Sequence, residues 1–186
     1  MKIAVYCSSK SNISAQYYES AQNVGKWIGA HNATLIYGGI DLGLMREVAT
    51  ATKSHGGKVV GVVPVSRKQG INLINDENII VDDLNERKAK MLMLADTFVV
   101  LPGGYGTIDE FISTFTSLSF INDKSKTIIL LNQDGLYDHS LAQLKVMIDN
   151  SLMEYKHMQR IKVATTAQEC CRLLEQIETQ YNENKK

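Results

Sequence analysis

The chain alternates between short, mostly uncharged runs and longer segments in which apolar side chains return every three or four positions. The runs at residues 2–7, 34–37, 58–63, 79–81, 97–101, 127–131 and 161–164 have the length and apolar content of buried strands. Between them the period lengthens. Tyr17, Ala21, Val24 and Ile28 mark the buried face of a first helix. Further helices are predicted over 44–55, from an Asp83-x-x-Glu86 start to about Ala95, over 140–150, and after Thr166-x-x-Glu169. Residues 67–78 have no clear period and are predicted to be a mobile loop. With 186 residues, no internal repeat and no linker, the pattern predicts a single domain over 1–181 followed by a polar tail, 182–186. Alternating strands and helices with uncharged strands predict a three-layer, doubly wound α/β fold around a mainly parallel sheet.

That architecture puts the carboxyl ends of the strands and the starts of the following helices on one edge, where ligands bind at the point of strand-order reversal. Ser8-Ser9, residues 38–43, Arg87 with Lys88, and residues 103–110 all fall at such junctions. The richest is LPGGYGTIDEF, residues 101–111. Pro102 stops a strand, and Gly103, Gly104 and Gly106 let the backbone turn and approach a ligand. Thr107 is predicted as a helix N-cap, with Ile108, Phe111, Ile112 and Phe115 at helical spacing after it. A glycine turn leading into a helix start is suited to an anion such as phosphate. It lacks the third glycine of a dinucleotide fingerprint and the lysine of a P-loop. Two readings of Glu110 stay open from spacing alone: a functional carboxylate, or the partner of Thr107 in an ordinary capping box. Arg87, likewise, reads as an exposed helix arginine or as a ligand clamp.

Composition narrows the partners. Lys plus Arg (20) balances Asp plus Glu (20), so no basic footprint points to nucleic acid or to a membrane surface. No signal-like leader and no long apolar run is present, and the three cysteines make no disulfide framework, which predicts a cytoplasmic protein. The four histidines are scattered, and Asp82, Asp83 and Glu86 read as a capped helix start, so neither a metal nor a cofactor is expected. Cys7 and Trp27 read as packing residues.

Arg87-Lys88 followed by PGGxGTxxE at 102–110, with Tyr37-Gly38-Gly39, Gly43-Leu44-Met45 and Val5-Tyr6-Cys7-Ser8-Ser9, resembles the LOG family, named for the "lonely guy" plant proteins. The resemblance spans residues 2 to about 120. It implies a Rossmann-like homodimer that hydrolyses cytokinin riboside 5′-monophosphates, and AMP, to free base and ribose 5-phosphate. It further implies Arg87 and Glu110 as the catalytic pair, with substrate contacts from Ser8, Gly39, Met45, Lys88, Gly103, Gly104, Tyr105, Gly106, Thr107 and Thr116. The chain differs from the family pattern at Ile40 and Arg46, where glycines are usual, and has no acidic residue over 65–69; these positions bear on the base. An older decarboxylase label for the family has no support here, because a pyridoxal enzyme needs a Schiff-base lysine with an acidic partner for the ring nitrogen. The alternative is a non-catalytic nucleotide or molybdenum-cofactor carrier, which shares a similar fold and loop. A dimer is also suggested by the helix at Thr107: Phe111, Phe115 and Leu118 line one face, while Ile108, Ile112 and Phe120 widen it beyond one stripe.

Overall fold

The computed structural model describes residues 1–121 and 125–184. The order is β1 (Lys2–Tyr6), α1 (Ala15–Ala30), β2 (Thr34–Tyr37), α2 (Gly43–Ser54), β3 (Lys58–Pro64), β4 (Glu77–Val81), α3 (Leu84–Leu94), β5 (Thr97–Val100), α4 (Tyr105–Phe120), β6 (Ile128–Leu131), α5 (Asp138–Asp149), β7 (Ile161–Ala164) and α6 (Ala167–Glu183). The seven strands form one sheet in the order β4-β3-β2-β1-β5-β6-β7, and every pairing is parallel. The fold is the three-layer, Rossmann-like α/β class read from the sequence. Central β5 and β6 are buried at every position, whereas edge strands β4 and β7 are buried only at Val81 and Ala164. Helices on both faces demand that pattern, since only an edge strand meets water.

Side chains alternate between the two faces with the strand period of two. Ile3, Val5 and Cys7 pack with α1, α2 and α6, including Val24, Leu44, Val48 and Leu174. Ala4 and Tyr6 pack with α3, α4 and α5, including Met91, Phe111, Phe115, Leu118 and Leu144. Phe111 is fully buried, and its truncation to alanine removes about 3–5 kcal/mol. Strand order reverses at β1, which pairs with β2 on one side and β5 on the other.

Several predicted boundaries move. Residues 67–78 are not a free loop: a 3-10 turn spans Val65–Gly70, Ile40 bridges Ile71, and β4 begins at Glu77. Polar anchors replace an apolar period there. Asn72 N–H donates to Gly39 O at 2.9 Å, and the Tyr37 hydroxyl donates to Asn75 Oδ1 at 2.6 Å. Thr107 is not an N-cap; α4 starts at Tyr105 with Gly104 in the cap position. Residues 182–183 of the predicted tail belong to α6, which continues through Glu183; residues 185–186 lie outside the described residues. Two other predicted starts hold. Asp83 Oδ1 accepts from the N–H of Asn85 (2.7 Å) and Glu86 (2.9 Å), and Thr166 Oγ1 accepts from Glu169 N–H at 3.1 Å.

Candidate active site

The carboxyl ends of β1 and β5 are tied together. Ser8 N–H donates to Pro102 O at 3.1 Å, and Ser8 O accepts from Leu44 N–H at 3.0 Å, so one residue joins three element ends. Beyond β5 the chain turns tightly at Gly103. A Cβ there would lie 2.1 Å from Thr107 Oγ1, so no other residue fits this turn as it stands. Gly104, as N-cap of α4, has no side chain with which to accept from the helix. The first intrahelical bond in this turn runs from Ile108 N–H to Gly104 O at 3.0 Å. The N–H groups of Tyr105, Gly106 and Thr107 precede it, and α-helical geometry leaves them without an intrahelical acceptor. Positions 104 and 106 face open space. An uncapped helix start at an open sheet edge favours an anion.

Glu110 follows one turn later and is 7% exposed. Its carboxylate accepts from Arg87 Nη2 on α3. The neighbouring residues pair in parallel: Lys88 Nζ donates to Asp109 Oδ1 and Oδ2 at 2.9 and 2.8 Å. Arg87 reaches across the end of β2, where Nη1 lies 3.4 Å from the position a Cβ on Gly38 would take. Its Nε is buried without a hydrogen-bond partner among the described residues, a donor that a ligand acceptor would satisfy. Burial pushes the Glu110 carboxyl up to about 7, against the opposing pull of Arg87; Asp109 raises it further and Lys88 lowers it. A buried carboxyl with a raised pKa beside a fixed cation, at a strand-order reversal, marks this edge as the candidate site.

The edge gathers Ser8, Gly39, Met45, Arg87, Lys88, Gly103, Gly104, Tyr105, Gly106, Thr107 and Glu110 at its strand-to-helix junctions. Their uses differ. Gly39 O is engaged by Asn72 and Asn75, the Met45 sulfur is pressed against Gly38, and Tyr105 is 93% exposed. Thr116 is the exception. It lies well over a turn beyond Glu110, in a groove of about 660 Å³ with Phe120, Met147, Leu152 and Tyr155. A second cavity of about 660 Å³ opens at the opposite, amino edge beside Met1 and Asp96 and contains none of the predicted site residues. Among the described residues no group of three or more His, Cys, Asp or Glu is placed to hold a metal ion. None of their helices is long and apolar enough to cross a membrane.

A family model described as "Possible lysine decarboxylase" matches residues 45–174. The chain is 34% identical over 182 residues to the cytokinin riboside 5′-monophosphate phosphoribohydrolase LOG of Oryza sativa subsp. japonica, covering 97% of this chain and 75% of that protein. It is 33% identical over 186 residues to the phosphoribohydrolase LOG7 of Arabidopsis thaliana, covering 98% and 84% respectively. The chain belongs to the LOG family. Its fold is shared more widely: the molybdenum cofactor binding protein from Rippkaea orientalis superposes with a TM-score of 0.75 at 20% identity, covering 95% of this chain and 96% of that one. That likeness concerns the fold alone.

The LOG-family motif assigns no role to three residues that the structure engages. Asp109, at a variable position of the motif, holds Lys88. Tyr6 and Thr114 share a buried 2.8 Å hydrogen bond beneath the ion pair. Thr114 stands four residues after Glu110, the helical spacing that could have revealed it. Burial pushes the Tyr6 hydroxyl and the Cys7 thiol up, so both stay neutral and serve packing.

Proposed function

We propose that this protein is a nucleoside 5′-monophosphate phosphoribohydrolase, releasing free base and ribose 5-phosphate from cytokinin riboside 5′-monophosphates and AMP. The observation that carries the reading is the buried Arg87–Glu110 pair one turn inside an uncapped helix start. Cleaving an N-glycosidic bond develops an oxocarbenium-like sugar, and a carboxylate beside C1′ stabilises that charge and activates water. Glu110 takes this role in its ionised form. The 5′-phosphate sits on the N–H groups at the start of α4, and its binding energy places the bond against Glu110. Arg87 opposes the effect of burial on Glu110, favouring its ionised form, and offers its Nε to the substrate. Curated relatives named as phosphoribohydrolases support the reaction class. The carrier alternative has no counterpart to this role for Glu110, because a carrier needs no carboxyl poised near neutrality.

Incubating the protein with AMP and with isopentenyladenosine 5′-monophosphate, then separating the products by chromatography, tests the proposal. Free base and ribose 5-phosphate are the expected products, and adenosine, lacking the phosphate, should be a far poorer substrate. Nucleotide binding without base release would favour the carrier. We propose in addition that the chain forms a homodimer; the face of Phe111, Phe115 and Leu118 is buried in the chain's own core, so the contact falls instead to the exposed apolar residues Phe120, Leu152 and Tyr155 that line the Thr116 groove. Light scattering should give twice the 20.7 kDa chain mass, and a monomeric mass with full activity would refute this.

A further inference from the structure

The two ion pairs between α3 and α4 look alike and differ in what they can release. Glu110 is 7% exposed and has nowhere else to place its charge. The Asp109 side chain is 53% exposed while its partner Lys88 is only 18% exposed. Asp109 also has a second local donor, Ser113 Oγ, at 3.2 Å one turn further along the helix. Its carboxylate can therefore turn to water and Ser113 at little cost, whereas the lysine is confined. Lys88 in turn lies in the second turn of α3 and reaches the second turn of α4, confined between the two helices. Asp109 neutralises it. An anion at the start of α4 would do the same, and the flexible lysine stem reaches from residue 109 to residues 105–107, about 3–6 Å along the axis.

We propose that Asp109 is a built-in competitor for the Lys88 ammonium, holding it until the substrate phosphate displaces the carboxylate. This rests on the phosphate-binding reading of the α4 start. Asp109 thus sets how tightly phosphorylated ligands are held, and it keeps the product from lingering. Lys88 exchanges one anion for another.

Calorimetric titration with ribose 5-phosphate, using adenosine as the control without phosphate, tests the exchange independently of turnover. Asp109→Asn frees Lys88, and ribose 5-phosphate should bind about three- to fivefold tighter, the strength of a half-exposed ion pair. Lys88→Met should weaken it by about tenfold or more, through loss of a charged hydrogen bond. Adenosine affinity should be unchanged in both. A merely structural role for Asp109 predicts no gain in affinity, so unchanged or weaker binding by Asp109→Asn overturns the proposal, as does an equal gain for adenosine. Tighter binding in a protein that releases no base would support the exchange and overturn the hydrolase reading instead.

Discussion

Two helices of this protein carry the same four-residue signature near their starts, Thr107-x-x-Glu110 on α4 and Thr166-x-x-Glu169 on α6. On α6 it closes the helix end. Thr166 accepts from Glu169 N–H, and Glu169 reaches back to Thr165 N–H at 2.8 Å and to the Thr165 hydroxyl at 2.9 Å. On α4 the helix has already begun two residues earlier, at Tyr105, so the threonine and glutamate point into its body and the end stays open. Thr107 packs on Gly103, and Glu110 meets Arg87. The electrostatics diverge accordingly. Backbone and hydroxyl donors at Thr165 hold the Glu169 carboxyl below its ordinary range, while burial lifts that of Glu110 to about 7. A local signature therefore specifies a cap only where the residue in front of it allows the helix to start there. Glycines at 103, 104 and 106 move the start.

The largest separation between the two sites should be in turnover. Glu110→Gln is expected to cut base release from AMP by about 10²–10³-fold, the usual scale for removing one electrostatic stabiliser. The same change at Glu169 should leave the rate within about twofold, as an exposed substitution remote from the chemistry. Comparable rates for both variants would mean that Glu110 serves only to pair with Arg87 in the structure.

Next in size is the pH response. With Glu110 active when ionised, kcat/KM should rise through about pH 7 and fall on the acid side. Arg87→Ala removes the main influence holding that carboxyl down, so its acid limb should move to higher pH on top of a lower plateau. A limb that stays in place would detach Arg87 from Glu110.

Stability gives a smaller contrast, and its sign is opposite at the two glutamates. Glu110 has a raised carboxyl, so its contribution to folding is present below the unfolded value near 4.5 and lost as pH rises through about 7. Melting curves of Glu110→Gln should thus gain on wild type as pH rises from about 4.5 to about 7. Glu169, with a lowered carboxyl, helps above its unfolded value and loses that help as pH falls. Smallest is the cap itself: Thr166→Ala should cost about 1 kcal/mol, a shift in Tm of about 2–4 °C, with activity intact.

The layers of this fold were legible because strands 97–100 and 128–131 carry no charge and every second residue of β1 belongs to one face. Arg87 and Glu110 could be named as partners through the family resemblance, whereas spacing alone left Glu110 open between a functional carboxylate and a cap. What stayed hidden depends on three-dimensional pairing. Residues 67–78 are held by the Asn72 backbone N–H on Gly39 and by the Asn75 side chain on Gly39 and Tyr37, bonds that have no apolar period. The Lys88–Asp109 pair joins residues 21 positions apart on different helices. Thr116 shares its helix with Glu110 yet opens into another groove.

Helices α1 and α2 cross with almost no spacing. A Cβ on Gly25 would sit 2.5 Å from Val48 O, and one on Gly29 would sit 2.5 Å from Thr52 O. On the far side of that seam, α2 carries Met45, whose sulfur would lie 2.7 Å from a Cβ on Gly38, the same spot that Arg87 Nη1 approaches. The two glycines therefore act as the thin washer in a stack. A methyl group added at Gly25 touches no site residue, but it would lift α2 from α1 and alter the height of Met45 beneath the guanidinium.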